Sequence, residues 1–504
     1  MTCSHVRLAR VSALAAALAS SCLGSAWAAP ATISASPVYD HPSAQVGVSG
    51  TGFGVSQAVD IYFDTTDVGL AVTNGSGAFN NVPINVPASA VPGQHWITGV
   101  QRFKGRAAQT SFDVWTDWAQ DKFDRRKKAY NPYENVVGPS NASSLDLDWV
   151  YQTGFTDDLV YQPMAVADGV AYGISYDGQI FALDTTTGSP LWYINTGVTF
   201  GYSGGVAVSS GALFVCLPGG LEALNASSGQ TIWSVPISGC AASPAVANGV
   251  VYVGDASDHV YAINASTGGQ IWQATVNGAD GFIAPAVGDG SVFIASGETI
   301  YALDAGSGSS EWSATTGGNI YGTPAIANGK LFVGSYDNNL YAFNACCGGV
   351  EWKVNFGSGE FHGAGSPAVG PDPYNPTLVY VPTADGNLTA VSAVTGNIVW
   401  QTNLGDGAGP YGAPAVANGV VYVAGGYNGY VYALDASYGT LYWSAADDEY
   451  AVFDVILTNG MLFAGADAFA INGGNYPAYK KHRSAPKLSA LHPDLRLKPH
   501  YGTP

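Results

Sequence analysis

Apolar and polar residues alternate along most of this chain in short runs, cut by Gly, Asn and Asp, with no stretch spaced like a helical face. The most regular unit reads Ser243-Pro244-Ala245-Val246-Ala247-Asn248-Gly249, Val250-Val251-Tyr252-Val253-Gly254, His259-Val260-Tyr261-Ala262-Ile263-Asn264 and Ala265-Ser266-Thr267-Gly268-Gly269-Gln270-Ile271-Trp272. Alternation over such lengths predicts strands. Asn-Gly joins the first two strands, and Asp177-Gly178, Asp385-Gly386 and Asn428-Gly429 join others; these pairs accept the positive φ angles of two-residue hairpins. Each unit is therefore expected to be a four-stranded antiparallel meander.

The unit recurs. Trp149, Trp192, Trp233, Trp272, Trp312, Trp352, Trp400 and Trp443 are separated by 43, 41, 39, 40, 40, 48 and 43 residues. A self-repeat of this period means one supersecondary unit copied around a ring or along a stack. The last copy runs through Val455-Ile456-Leu457, Met461-Leu462-Phe463 and Phe469-Ala470-Ile471-Asn472 and lapses at Gly473-Gly474 without a tryptophan strand, while Trp149 has a tryptophan strand and nothing before it. Joined, they make one blade and remove the open edges. The expected class is all-β: an eight-bladed β-propeller over 145–477, closed by the Trp149 strand.

Residues 30–115 read as a separate unit, with alternating runs at 46–53, 59–63 and 96–100 and turn signals at Asn74-Gly75 and Val91-Pro92-Gly93. They suggest a small immunoglobulin-like β-sandwich. Its Ser49-Gly50-Thr51-Gly52-Phe53 start resembles the IPT/TIG modules. The polar, charge-mixed stretch 116–144 is expected to be a linker, and 478–504 a basic tail.

Arg7 and Arg10, the apolar run Val11 to Leu23 and Ala26-Trp27-Ala28 read as a secretory signal peptide over 1–28. Ala19-Ser20-Ser21-Cys22 has the small residues of a lipid-anchor motif, but Ala stands where such motifs carry Leu, so the sequence favours cleavage over anchoring. No later run is long and apolar enough to span a membrane, and an extracytoplasmic location, periplasmic or secreted, is expected. The net charge of −19 argues against nucleic acid as partner. From 150 to 477 there are 25 Asp and Glu against Lys330 and Lys353 alone, with no Arg. The other cations cluster outside this block: Arg102, Lys104 and Arg106; Lys122, Arg125, Arg126, Lys127 and Lys128; and the tail. Charge complementarity predicts that they fold back on the acidic body.

The segments Ala182-Leu183-Asp184-Thr185-Thr186-Thr187-Gly188-Ser189-Pro190-Leu191-Trp192 and 433–443, with near-copies at 223–233, 262–272, 302–312, 342–352 and 390–400, resemble the tryptophan-docking motif of quinoprotein (PQQ) propellers. Asn131-Pro132-Tyr133-Glu134 through Trp149 also resembles the start of such propellers. The resemblance implies an indole filling each gap between blades. For activity it implies two possibilities: a PQQ- and calcium-dependent dehydrogenase, or a non-catalytic scaffold similar to BamB, which would bind an envelope or extracellular protein or a small ligand.

The dehydrogenase reading calls for cations near the axis to meet the carboxylates of PQQ. The propeller block offers only Lys330 and Lys353, neither at an axial position. The adjacent Cys346-Cys347 falls in an outer hairpin turn on the wrong face for a disulfide over a quinone. No Cys-x-x-Cys-His occurs for haem. These points favour binding without a cofactor, with PQQ and calcium as the alternative. His259 and His362 read as loop decoration. The sharper candidate is a mouth: Tyr161, Tyr202, Phe282, Tyr321, His362, Tyr411 and Tyr450 lie in loops entering the inner strands and would converge on one face, suiting a sugar, a cation-bearing ligand or a peptide. Asp157, Asp158, Asp447, Asp448 and Glu449 beside them are the candidate metal ligands. Cys216 and Cys240 open on one face and are expected to pair.

Overall fold

The computed structural model describes residues 30–103, 105–151, 164–176, 178–197, 204–217, 219–240, 242–277, 284–320, 322–357, 365–371, 377–383, 385–405, 412–425, 429–446, 454–465 and 467–471. Eight antiparallel sheets of consecutive meandering strands run from Ala165–Ala167 to Asp467–Ile471. In the eighth, Val455–Thr458, Met461–Ala464 and Asp467–Ile471 are joined by Leu145–Val150 as the outer strand, with Trp149 opposite Ala468. N-terminal and C-terminal strands thus share a blade, so the ring closes through hydrogen bonds and no sheet is left short.

Local sequence explains each blade. In seven of the eight blades the turn between first and second strands holds two residues of positive φ, as at Asn248 (51°) and Gly249 (77°), or Asn418 (45°) and Gly419 (81°), the backbone that matches the twist of a tight hairpin. The third and fourth strands slip register before each docking tryptophan, as between Ala182 and Leu183, a bulge that turns the indole toward the next blade. There Trp192 Nε1 donates to Ala226 O at 2.8 Å, and the ring lies on Gly229, whose missing side chain makes the contact possible: a Cβ would fall 2.8 Å from it. Trp149, Trp233, Trp272, Trp312, Trp352 and Trp400 repeat this contact with Thr185, Ala265, Ala305, Ala345, Ala393 and Ala436.

The inner three strands of each blade are almost wholly buried, and the outer strand alternates exposed and half-buried positions. Cys216 and Cys240 form a disulfide between the second and third blades. Before the ring, residues 32–114 fold into a three-stranded and a five-stranded sheet. These enclose a core of Val46, Val48, Val59, Ile61, Phe63, Phe79, Ile97 and Phe112. The unit rests on the propeller face that carries the first-to-second strand turns. His41 stacks on Tyr133 (centroids 3.7 Å apart), Asn135 Nδ2 donates to Ala88 O and Ala90 O, and Trp115 packs on Gly169.

Candidate functional site

The stretch read from the sequence as a linker lines the propeller axis. Each inner strand is short, often three residues, and presents a backbone edge to the axis that needs a partner. Residues 116–131 supply it to all eight blades. Trp118 exchanges two bonds with Val166, both 2.8 Å, and Ala119 O accepts from Val208 N. The Gln120 amide pairs with the backbone of Val246. The carbonyls of Arg125, Arg126, Lys128 and Ala129 accept from Val287, Ile326, Val369 and Val416 at 2.6–2.8 Å. Tyr130–Asn131 then runs parallel to Ala415–Ala417. Asn131 Nδ2 donates to Leu457 O and Thr116 O, while Thr116 and Asn459 exchange two bonds of 2.7 Å. One turn of chain is therefore laced to every blade.

Glu134 fastens its exit. The carboxylate is buried and accepts from Val136 N, Val137 N, Gly460 N and the Thr116 hydroxyl. Burial pushes its pKa up while these four donors hold it down.

Charge inside the ring is arranged around this segment. Lys127 is fully buried and donates to both the carbonyl and the carboxylate of Asp121, each at 3.2 Å. Lys122, also buried, reaches Thr323 O at 3.5 Å. Burial pulls its ammonium down to about 8, against the opposing fields of Asp121 and Asp454. Asp454 accepts from Ala413 N at 2.7 Å and is pushed up to about 6, by burial first and the Asp121 charge second. Trp118, Asp121, Lys122, Ala413, Pro414 and Asp454 line a small cavity here. Thr323, Ala413 and Asp454 stand just before their inner strands, so these groups lie at the end of the axis where the chain enters the blades. Arg125 and Arg126 point the other way, to Asn248 and Asp289 in turns on the opposite face.

A second group of acids marks the junction with the N-terminal unit. Asp117 accepts from Asp168 N at 3.1 Å. Burial, then the charges of Asp168 and Asp40, push Asp117 up to about 7. Burial also raises Asp168.

The family described as outer membrane protein assembly factor BamB (PQQ_2) matches residues 176–281 and 256–465, more than half of the sequence. The chain belongs to this family. Among curated relatives, 1-butanol dehydrogenase (cytochrome c) of Thauera butanivorans is 31% identical over 134 residues, covering 25% of this chain and 19% of that protein. Quinohemoprotein alcohol dehydrogenase of Comamonas testosteroni is 26% identical over 156 residues, covering 29% and 22%. The match thus spans about a fifth of these relatives' length. Among solved structures, the Comamonas testosteroni enzyme has a TM-score of 0.58 at 16% identity, over 74% of this chain and 82% of that one. BamB from Moraxella catarrhalis has 0.52 at 21%, over 68% and 99%. The computationally designed Ika8 protein has 0.55 at 14%, over 65% and 100%. At such identities these likenesses establish the fold alone.

Within this PQQ_2 propeller the sequence-derived sites divide sharply. All seven mouth residues, Tyr161, Tyr202, Phe282, Tyr321, His362, Tyr411 and Tyr450, lie outside the described residues, as do Asp157, Asp158, Asp447, Asp448 and Glu449. His259 is half-exposed on a hairpin, 3.0 Å from Asp255. Lys330 pairs with Glu351, and Lys353 lies over the Tyr341 ring, both away from the axis. The expectation that the axis lacks cations needs correction: the propeller strands supply none, but the segment threaded through them supplies Lys122 and Lys127. The signal was present in five cations between 122 and 128 beside an acidic block. Of the other cations, Arg126 of the same segment pairs with Asp289 of the acidic body, whereas Arg102 pairs with Asp60 inside the N-terminal unit.

A tricarboxylate quinone with its calcium ion makes definite demands of this donor set. Among the described residues no three His, Cys, Asp or Glu are grouped to hold a metal. Lys127 is already neutralised by Asp121, and Asp454 and Asp121 stand beside Lys122, where they would repel an incoming carboxylate. The described axial residues do not fit that group. The same residues do fit each other: two lysines and two aspartates close to one another, as the interior of a sealed hub requires.

Proposed function

We propose that this protein is an extracytoplasmic binding or scaffold protein, its propeller holding an envelope protein or an extracellular ligand over the loop-bearing face without chemical turnover. One observation carries the reading: the axis is filled by the chain's own segment 116–131, hydrogen-bonded to all eight blades, with Lys127 and Asp121 paired inside it. Such a hub is rigid and leaves the blade-to-blade loops as the variable surface, the arrangement by which a repeat scaffold presents a binding face. The family description and the likeness to BamB from Moraxella catarrhalis over nearly all of that chain support it. The aromatic mouth, Tyr161, Tyr202, Phe282, Tyr321, His362, Tyr411 and Tyr450, is the proposed contact surface.

A quinoprotein dehydrogenase using PQQ and calcium is the second reading. It is supported by the two alcohol dehydrogenases among the curated relatives and by Lys122 facing the loop side of the hub. Dye reduction separates the two. Purified protein supplied with PQQ, calcium and 1-butanol should show no turnover above protein-free controls, while cross-linking in an envelope fraction should capture a discrete partner. Tyr321→Ala with Tyr411→Ala should lose that capture and keep the melting temperature. Steady cofactor-dependent dye reduction would replace the binding reading with the enzymatic one.

A further inference from the structure

The seven described docking turns are sister structures, and one of them carries different chemistry. In six an Asp or Asn closes the turn and in the remaining one Ser392 does, and in every one a Gly lies under the preceding blade's indole. In four, hydroxyls at the two intervening positions return to that Asp or Asn: Thr186 and Thr187 to Asp184, Ser227 and Ser228 to Asn225, Thr267 to Asn264, and Ser307 to Asp304. In the fifth blade the two positions are Cys346 and Cys347, both free and both exposed.

The turn does not need them. Its backbone is held by Cys346 N to Asn344 Oδ1 at 3.0 Å, Cys347 N and Gly348 N to Asn344 O, and Asn344 N to Gly349 O. Trp312 donates to Ala345 O and seats on Gly348 as in the sister turns. Two neighbouring thiols are thus fixed in place by a rigid backbone and face solvent. Joining them directly would draw the Cys346–Cys347 peptide into an eight-membered ring. That peptide lies between the two residues on which Trp312 is seated, so the blade contact opposes closure. An atom bridging the sulfurs imposes no such contraction.

We propose that Cys346 and Cys347 form a two-thiolate chelate for a soft, thiophilic metal cation on the rim of the fifth blade. Thiolate ligands select such cations over hard ones. Two S–H bonds break, two sulfur–metal bonds form, two protons are released and no oxidation state changes.

The test is a titration of the purified chain, carrying Cys3→Ser and Cys22→Ser so that Cys346 and Cys347 are the thiols outside the disulfide, with cadmium(II), followed by thiolate-to-metal absorption in the near ultraviolet and by protection of the thiols from alkylation. One cadmium per chain is expected, with both thiols protected. Cys346→Ser and Cys347→Ser should each weaken binding by at least about 100-fold, because each removes the tethered second ligand. The double Ser variant restores the residue type of the sister turns, so its melting temperature should be unchanged. No charge-transfer band, or full affinity in either single variant, would overturn the proposal. So would an intact mass for the native chain two hydrogens lighter than the Cys216–Cys240 bridge accounts for.

Discussion

If residues 116–131 hold the ring together from inside, the Lys127–Asp121 pair should be among the most sensitive points of the protein. Lys127 has no exposed surface, and both its described hydrogen bonds go to Asp121, itself 3% exposed. Lys127→Met removes the charge and leaves the Asp121 carboxylate buried without its ion-pair partner. Breaking one side of such a pair costs about 3–5 kcal/mol. Asp121→Asn, which strands the ammonium instead, should cost a similar amount. The double variant Asp121→Asn with Lys127→Met strands neither charge, so it should recover part of the loss, with a coupling of about 1–3 kcal/mol. Urea unfolding of the four proteins gives the cycle directly. A cost below about 1 kcal/mol for Lys127→Met would mean that the lysine is solvated, and that the segment is not seated in the axis.

Protonation gives a second prediction. Asp117 and Asp454 have folded pKa values raised to about 7 and about 6 from an ordinary 3.8, so their neutral forms favour folding. Their contribution is fully present below about pH 4 and is lost as pH rises through 6 and 7, and Asp117→Asn with Asp454→Asn should flatten that limb of a stability-against-pH curve. An unchanged limb would refute the assignment. Gly439 has φ of 69°, and a Cβ there would stand 2.5 Å from Trp400 and 2.6 Å from Thr402 Oγ1. Gly439→Ala should therefore cost about 2 kcal/mol or more, read as a lower urea midpoint. Cys216→Ser should lower stability by about 3 kcal/mol, since the disulfide closes a loop of 24 residues. Reduction of the wild type with dithiothreitol should match it.

The propeller was legible because its rules are local. Asn248-Gly249 specifies a hairpin within two residues, and Trp272 with Gly308 specifies a blade contact one repeat away. The closing role of Trp149 followed by counting strands. The hub was not legible for the opposite reason. Residues 116–131 neither alternate nor repeat, because their backbone is shaped by eight partners from Val166 to Asn459. Trp118 and Gln120 therefore look like linker residues until their partners are in place. Lys127 reads in the sequence as one of five cations expected to fold back on the acidic body, yet the carboxylate that neutralises it sits six positions earlier in the same segment.

The most direct test is a melting curve of the purified protein with PQQ, with and without calcium. A ligand that binds only the native state adds about 2.7 kcal/mol at 100 times its dissociation constant, an easily measured rise. A hub already filled and neutralised by Lys127, Asp121, Lys122 and Asp454 predicts no shift under either condition. A calcium-dependent rise would contradict it and make the loop face a cofactor site.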